Sequence, residues 1–143
     1  MNLAPEPGLV PELLVTDVRE SIGFWCGLCG FSIEYRREDE GFAYLSRGAA
    51  HVMLEQAGAG RNWLTAPLER PFGRGINFQI TVSDLEPILA SLRAVGHPLF
   101  MAPEIKWYRI GREEAGVRQF LVTDPNGYLI RFQASHGRRP AAA

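Results

Sequence analysis

The feature that most constrains this chain is an internal duplication. Residues 14–18 read Leu-Val-Thr-Asp-Val, and residues 81–85 read Thr-Val-Ser-Asp-Leu. In both segments an apolar strand ends in a small hydroxyl residue and an Asp, which can satisfy the free N–H groups of a starting helix. Each predicted helix ends at a glycine suited to a left-handed cap, Gly30 and Gly96. The chain is therefore predicted to contain two copies of one strand–helix–strands unit.

Strands are predicted after each helix, from short apolar runs bounded by turn residues. They cover Ser32–Arg37, Phe42–Arg47 and His51–Gln56 in the first copy, and about Pro98–Ala102, Gln119–Thr123 and Tyr128–Gln133 in the second. One helix covers only one face of each sheet, so the other face is expected to line a cleft. The predicted fold is α+β, with two βαβββ repeats forming curved mixed sheets, a concave cleft and helices outside.

Length and composition favour a single domain of 143 residues. Repeat 1 is expected over about 9–56, a linker over 57–75, repeat 2 over about 76–134 and a flexible tail over 135–143. A net charge of −1 argues against a nucleic-acid binder, and no apolar run is long enough for a membrane span. Cys26 and Cys29 are interpreted as ordinary thiols, which predicts a reducing cytoplasm.

Strand alternation sorts the side chains of each repeat between the helix face and the cleft face. The residues expected to contact a ligand are Glu12, Tyr35, Phe42, Tyr44, His51, Glu55, Trp63, Asn77, Gln79, Trp107, Tyr108, Arg118 and Arg131. Acids, amides and aromatic rings in one cleft suit a sizeable polar ligand with planar parts. Loop aromatics at the rim, among them Phe72, Trp107 and Tyr108, are expected to contact either the ligand or a dimer partner. Trp25, on the apolar stripe of the first helix, is expected in the core.

Several motifs in this order resemble the vicinal oxygen chelate superfamily, which includes glyoxalase I, extradiol dioxygenases and bleomycin resistance proteins. The motifs are the paired helix openings, Phe24-Trp25, Gly30-Phe31-Ser32, Arg118-Gln119-Phe120 and Asp124-Pro125-Asn126-Gly127. The resemblance covers about residues 9–134 and is strongest to the bleomycin resistance branch. It implies a homodimer that sequesters an antibiotic in clefts, without chemistry.

Metal-dependent members of that superfamily hold a divalent ion with His, Gln or Glu side chains from four strands. The resemblance places these ligands at Val10, Asn77, Arg131 and near Glu55. Val10 cannot coordinate a metal, Asn77 is a poor ligand, and Arg131 would repel the ion. No metal, cofactor or catalytic residue is therefore expected, although a shifted site formed by Glu12, His51 and Glu55 stays open.

Bleomycin-binding relatives stack the flat rings of the drug between aromatic side chains of two subunits. The resemblance places one of these aromatics at Tyr35 and the other, a Trp, at Gly116, which departs from the pattern. Trp107 is a possible replacement, or the ligand is another flat aromatic antibiotic. The sequence therefore predicts a non-catalytic antibiotic-binding protein. The alternative is a metal-dependent glyoxalase-like lyase or dioxygenase.

Overall fold

The computed structural model describes residues 7–142, which form two compact units. The first unit ends at Leu68 and the second begins at Glu69, so the boundary falls inside the predicted linker. Each unit contains one four-stranded sheet in which one strand pair is parallel and the others are antiparallel. The predicted α+β fold with two βαβββ repeats is confirmed.

The first unit has its strands in the order β1-β4-β3-β2. Their bounds are β1 Glu12–Val15, β2 Ser32–Arg37, β3 Phe42–Arg47 and β4 Ala50–Gln56. The predicted limits of β2 and β3 are confirmed, and β4 begins one residue earlier than predicted. β1 lies parallel to β4, while the other neighbours are antiparallel. β2 is the outer strand beside β3, and all of its residues are exposed.

The helical segment of the first unit changes type along its length. Helix α1, Val18–Ile22, begins after Asp17, whose carboxylate accepts hydrogen bonds from the backbone N–H groups of Arg19 and Glu20. It continues as a π-helix over Gly23–Leu28. A π-helix has more residues per turn than an α-helix, so the buried face differs from the predicted α-helical stripe. The buried side chains of this segment are Ser21, Phe24, Trp25 and Cys29. Trp25 is 1% exposed, which confirms its place in the core.

The second unit has its strands in the order β5-β8-β7-β6. Its elements are β5 Asn77–Thr81, α2 Glu86–Ala94, β6 Met101–Ile110, β7 Glu113–Thr123 and β8 Leu129–Pro140. Helix α2 buries Ile88, Leu89 and Leu92. The sheet contributes Phe120 and Phe132, with ring centroids 5.5 Å apart. None of the helices in residues 7–142 has the length and apolar character needed to cross a membrane.

The second sheet is longer than predicted, because strand pairing continues past the expected ends. β6 and β7 are joined by a two-residue turn at Gly111 and Arg112, where Gly111 adopts a φ of 62°. The predicted flexible tail is wrong over residues 135–140, since β8 runs to Pro140 beside β7. Two cross-strand ion pairs hold this extension, Arg138 to Glu113 at 3.0 Å and Arg139 to Glu114 at 3.1 Å.

The turn before β8 forms as predicted. The Asp124 carboxylate accepts hydrogen bonds from the backbone N–H groups of Asn126 and Tyr128, both at 2.9 Å. Gly127 adopts a φ of 97°, and a Cβ there would lie 2.6 Å from Pro71. Phe72, which the sequence placed at the rim of a cleft, is instead buried, with its ring 6.0 Å from that of Tyr128.

Candidate functional site

Each unit has a cavity on the face of its sheet that the helix does not cover. The cavity of the first unit, named the acid cavity, has a volume of about 340 Å³. It is lined by Glu12, Arg37, Glu40, Phe42, Glu55, Gly60, Arg61 and Trp63. The cavity of the second unit, named the amide cavity, has a volume of about 310 Å³. It is lined by Asn77, Met101, Glu104, Tyr108, Gln119, Leu121, Leu129 and Arg131.

The acid cavity is built around two carboxyl groups on neighbouring parallel strands. Glu55 of β4 is paired in register with Leu14, two residues after Glu12 in β1. Because residues two apart on a strand point to the same face, Glu12 lies on the same face as Glu55 and is its diagonal neighbour. Burial, and then the hydrogen bond and negative charge of Glu55, raise the pKa of Glu12, while Arg37 opposes the rise. Glu55 is 8% exposed, and Glu12 beside it binds a proton more readily than a carboxylate in water would.

Aromatic and cationic groups surround the carboxyl pair. The guanidinium of Arg37 lies 3.9 Å from the centre of the Phe42 ring and donates to Glu40 at 2.6 Å. Trp63 is 72% exposed, although the ring is large and apolar, and Arg61 lies 5.3 Å from its centre. An exposed Trp at the mouth of a cavity offers a flat surface for a planar ligand.

The predicted residues Tyr35, Tyr44 and His51 lie in the same sheet but do not line the acid cavity. Tyr44 stacks on Tyr35 with ring centroids 5.2 Å apart, and its hydroxyl is 2.7 Å from Nδ1 of His51. Tyr35 also contacts Phe42, with centroids 6.0 Å apart. These rings support Phe42, which does line the acid cavity.

Side-chain hydrogen bonds that involve all four strands of the sheet hold the amide cavity together. Nε2 of Gln119 on β7 donates to Glu104 Oε1 at 3.1 Å and to the Tyr108 hydroxyl at 2.7 Å, both on β6. Nη2 of Arg131 on β8 donates to Gln79 Oε1 on β5 at 2.8 Å. Gln79 therefore acts by orienting Arg131, although it does not line the cavity itself.

Two predicted ligand contacts lie away from the amide cavity. Arg118 forms an ion pair with Glu86 of α2 at 2.7 Å, because alternation along β7 places it with buried Phe120 and opposite to Gln119. Trp107 alternates with Tyr108 along β6 and so points to the other face. Its ring lies over Gly116, where a Cβ would be 2.8 Å from the ring, and Arg139 lies 4.0 Å from the ring centre.

Sequence reasoning missed several cavity residues. Gln119 and Glu104 were not proposed, yet the alternation with buried Phe120 and Val122 places Gln119 on the cavity face. Glu104 could not be found this way, because β6 was predicted to end at Ala102. Arg37, which lines the acid cavity, was also not proposed. It is the last residue of β2, two residues after Tyr35, and therefore points to the same face as Tyr35.

The positions of metal ligands in metal-dependent relatives do not fit a divalent ion here. Asn77 and Arg131 line the amide cavity, and the guanidinium of Arg131 would repel a cation. Val10 offers only an apolar side chain, and Glu55 shares a hydrogen bond with Glu12. Within residues 7–142, His, Cys, Asp and Glu side chains do not gather in threes in a way that could hold a metal ion.

Comparison with known proteins gives one family. The model of the Glyoxalase/Bleomycin resistance protein/Dioxygenase superfamily matches residues 9–132. The chain belongs to this superfamily. It is 26% identical over 133 residues to bleomycin resistance proteins of Geobacillus stearothermophilus and Staphylococcus aureus, covering 86% of this chain and 92% of each relative.

Solved structures share the fold. TioX from Micromonospora sp. ML1 is 23% identical, with a TM-score of 0.67 and coverage of 88% of this chain and 96% of that one. Lactoylglutathione lyase from Agrobacterium tumefaciens is 15% identical, with a TM-score of 0.58 and coverage of 91% and 94%. Proteins that share this fold therefore include one named as an enzyme.

Proposed function

We propose that this protein binds a small antibiotic-like molecule and lowers its free concentration without altering it. The observation that carries the proposal is Arg131. Its guanidinium lines the amide cavity at a position where metal-using relatives hold a ligand, and it is oriented by Gln79. A fixed positive charge there supports binding and disfavours chemistry at a divalent metal. The similarity to bleomycin resistance proteins over most of both chains supports the same function.

The lining of the acid cavity suggests the chemistry of part of the ligand. Two carboxyl groups attract a cationic or hydrogen-bond-donating group, while Phe42 and Trp63 offer apolar rings. A flat aromatic antibiotic that also carries an amine combines both features.

We propose that the protein acts as a homodimer. The outer strands β2 and β6 leave backbone groups available for pairing, and Ile33, Ile105 and Ile110 on them are exposed. A second copy would cover these apolar side chains. Light scattering after gel filtration at micromolar concentration is expected to give twice the mass of 15.9 kDa. A monomer in that experiment would contradict the proposal.

The two thiols are consistent with a cytoplasmic protein. Cys26 and Cys29 form no disulfide, and burial raises the pKa of the Cys26 thiol. A thiol with a raised pKa is a poor nucleophile, so a redox role for this pair is not supported.

A thermal-shift panel tests the proposed function. Bleomycin and other glycopeptide and peptide antibiotics are added to protein treated with a chelator, and Zn²⁺, Ni²⁺, Mn²⁺ and Fe²⁺ are added in parallel wells. A ligand that binds only the folded form raises Tm. At a ligand concentration of a hundred times Kd, it adds about 2.7 kcal/mol to the free energy of unfolding. A rise in Tm with an antibiotic alone supports sequestration. A tight stoichiometric metal, without which no antibiotic binds, would favour the lyase or dioxygenase alternative instead.

A further inference from the structure

Two buried polar atoms in the amide cavity have no hydrogen-bond partner in the part of the chain that the structure describes. One is Oε1 of Gln119, a residue only 3% exposed. Nε2 of the same amide donates to the Glu104 carboxylate, which can only accept, so the orientation of the amide is fixed. Oε1 is thus an acceptor that lacks a donor.

The second atom is Nε of Arg131, which lines the same cavity. Nη2 of that guanidinium is already used on Gln79, whereas Nε is buried and donates to no described group. Leaving a buried polar group without a partner costs free energy, which a ligand that completes the hydrogen bond recovers. The cavity therefore presents one unmet acceptor and one unmet donor.

Gln119 and Arg131 lie on adjacent strands of the same sheet. Arg131 of β8 is paired in register with Leu121 of β7, two residues after Gln119. Gln119 and Arg131 are thus diagonal neighbours on one sheet face, where backbone separations are about 7–8 Å. Both long side chains line the same cavity, so one ligand bound there has both residues as neighbours.

The rest of the lining argues for a neutral, partly apolar ligand. Glu104 and Arg131 supply one charge of each sign, and each is already hydrogen-bonded to a neighbouring amide. Met101, Leu121 and Leu129 supply apolar surface. A charged ligand would leave one sign unbalanced in this setting, whereas a neutral ring fits the surface without that cost.

We propose that the amide cavity binds a planar neutral amide, either a primary carboxamide or a ring lactam. Its N–H donates to Gln119 Oε1 and its carbonyl oxygen accepts from Arg131 Nε. This inference rests on the proposed function, of which it names one ligand group. It also explains why an Arg serves here better than a Lys, since only the Arg side chain carries an Nε–H beside the group that binds Gln79.

Three probes of nearly equal shape test the proposal. Benzamide offers a donor and an acceptor, benzoate offers acceptors only, and benzamidine offers donors only. Titrations followed by ¹H–¹⁵N NMR are expected to give a Kd on the order of 1 mM for benzamide, typical of a fragment of this size. At the amide cavity, followed through the resonances of residues that line it, benzoate and benzamidine are expected to bind at least about tenfold more weakly than benzamide. Equal or tighter binding of either charged probe at the amide cavity would overturn the proposal, whereas benzamidine binding at the acid cavity is expected from the carboxyl groups there.

Variants assign the binding to the two atoms. Gln119→Met removes the acceptor, and Arg131→Lys keeps the charge but removes Nε–H, so each is expected to weaken benzamide about tenfold. Gln133→Met is the matched control, because Gln133 lies on the same strand as Arg131 and bonds only Thr81 among the described side chains. If Gln119→Met is unstable, Arg131→Lys still decides. Unchanged benzamide affinity in Arg131→Lys would contradict the inference.

The outcome separates from that of the proposed function. Failure of benzamide to bind, together with a rise in Tm from an antibiotic, would refute the amide preference and leave sequestration standing. Preferential benzamide binding without any antibiotic effect would support the amide preference and remove antibiotic sequestration as its purpose.

Discussion

The two copies of the duplicated unit place different chemistry at equivalent points. Glu12 lies five residues before the helix-opening Asp17, and Gln79 lies five residues before Asp84. Glu12 is hydrogen-bonded to Glu55 in the acid cavity, whereas Gln79 accepts from Arg131 beside the amide cavity. The backbone plan has been kept while the charge has changed from a carboxyl pair to an amide and a guanidinium. The two copies of the fold thus carry cavities of different chemistry.

The sheets differ as well. Strands β2 to β4 have 6 or 7 residues, while β6 to β8 have 10 to 12. The added length carries Trp107 across to Gly116, so its ring occupies space that a side chain at residue 116 would need. In bleomycin-binding relatives the resemblance puts a Trp at that position. In this chain residue 116 is a glycine, and the ring of Trp107 from the neighbouring strand lies over it.

The largest expected effect tests whether the ring of Trp107 fills the space that a side chain at residue 116 would need. Gly116→Ala puts a Cβ 2.8 Å from the Trp107 ring and should reduce the free energy of unfolding by about 2 kcal/mol. The double variant with Trp107→Ala removes the clash, so a urea-unfolding cycle is expected to show a coupling of about 1 kcal/mol or more. Strictly additive losses would show that the ring does not fill the place of a residue-116 side chain.

The next effect concerns the mouth of the acid cavity. Trp63→Ala should weaken binding of a flat aromatic antibiotic about tenfold, which is about 1.4 kcal/mol, since the ring is a stacking surface. Stability should change by less than about 0.5 kcal/mol because the side chain is exposed. Leu64→Ala is a matched control, since Leu64 is exposed in the same segment and does not line the cavity. Equal losses from both variants would remove Trp63 from the site.

A smaller effect, on the pH dependence of stability, is expected from Glu12 in the acid cavity and has no counterpart in the amide cavity. The pKa of Glu12 is raised above 4.5, so the folded protein binds this proton more tightly than the unfolded chain. The unfavourable contribution is complete above the folded pKa and disappears as the pH falls below 4.5. Glu12→Gln should therefore stabilise the protein near pH 7 by a few tenths of a kcal/mol, because solvent screens this exposed residue.

The measurement is denaturant unfolding of Glu12→Gln and the wild type between about pH 4 and 7. The control is Glu34→Gln, an exposed carboxyl in the same sheet that accepts from Ser46. If Glu12→Gln stabilised the protein equally at every pH in this range, the raised pKa of Glu12 would be contradicted.

No effect on ligand binding is expected at Arg118. The side chain pairs with Glu86 on the helix side of β7, and both are exposed. Arg118→Ala should leave antibiotic affinity unchanged and reduce stability by less than about 1 kcal/mol. A tenfold loss of affinity would return Arg118 to the ligand site.

Local signals predicted the parts of the fold that they control. Asp17 and the positive φ of Gly30 and Gly96 confirm the predicted helix start and ends, and Asp124 with Gly127 forms the predicted turn. Alternation also placed Glu12, Phe42, Glu55 and Arg131 correctly on the faces that line cavities. These features depend on neighbouring residues, so a single sequence contains them.

Features that depend on pairing partners were not predicted. The sequence predicts a loop at Trp107 and Tyr108, whereas both residues lie in β6. The polar residues of this strand are stabilised only by pairing with β7, which a single sequence does not show. The π-helix after Ile22 depends on how Trp25 and Cys29 pack on the sheet, which periodicity alone cannot encode. Arg118 was chosen from a family motif, although alternation with Phe120 already pointed it to the helix.

The most direct test of sequestration combines binding with recovery of the ligand. Chelator-treated protein is titrated by calorimetry with the antibiotic that raises Tm most. The bound ligand is then released, and its molecular mass is measured by mass spectrometry. Saturable, metal-independent binding with the ligand recovered unchanged is the predicted result. Loss of the ligand to a new product, or binding that appears only when a divalent metal is restored, would contradict it.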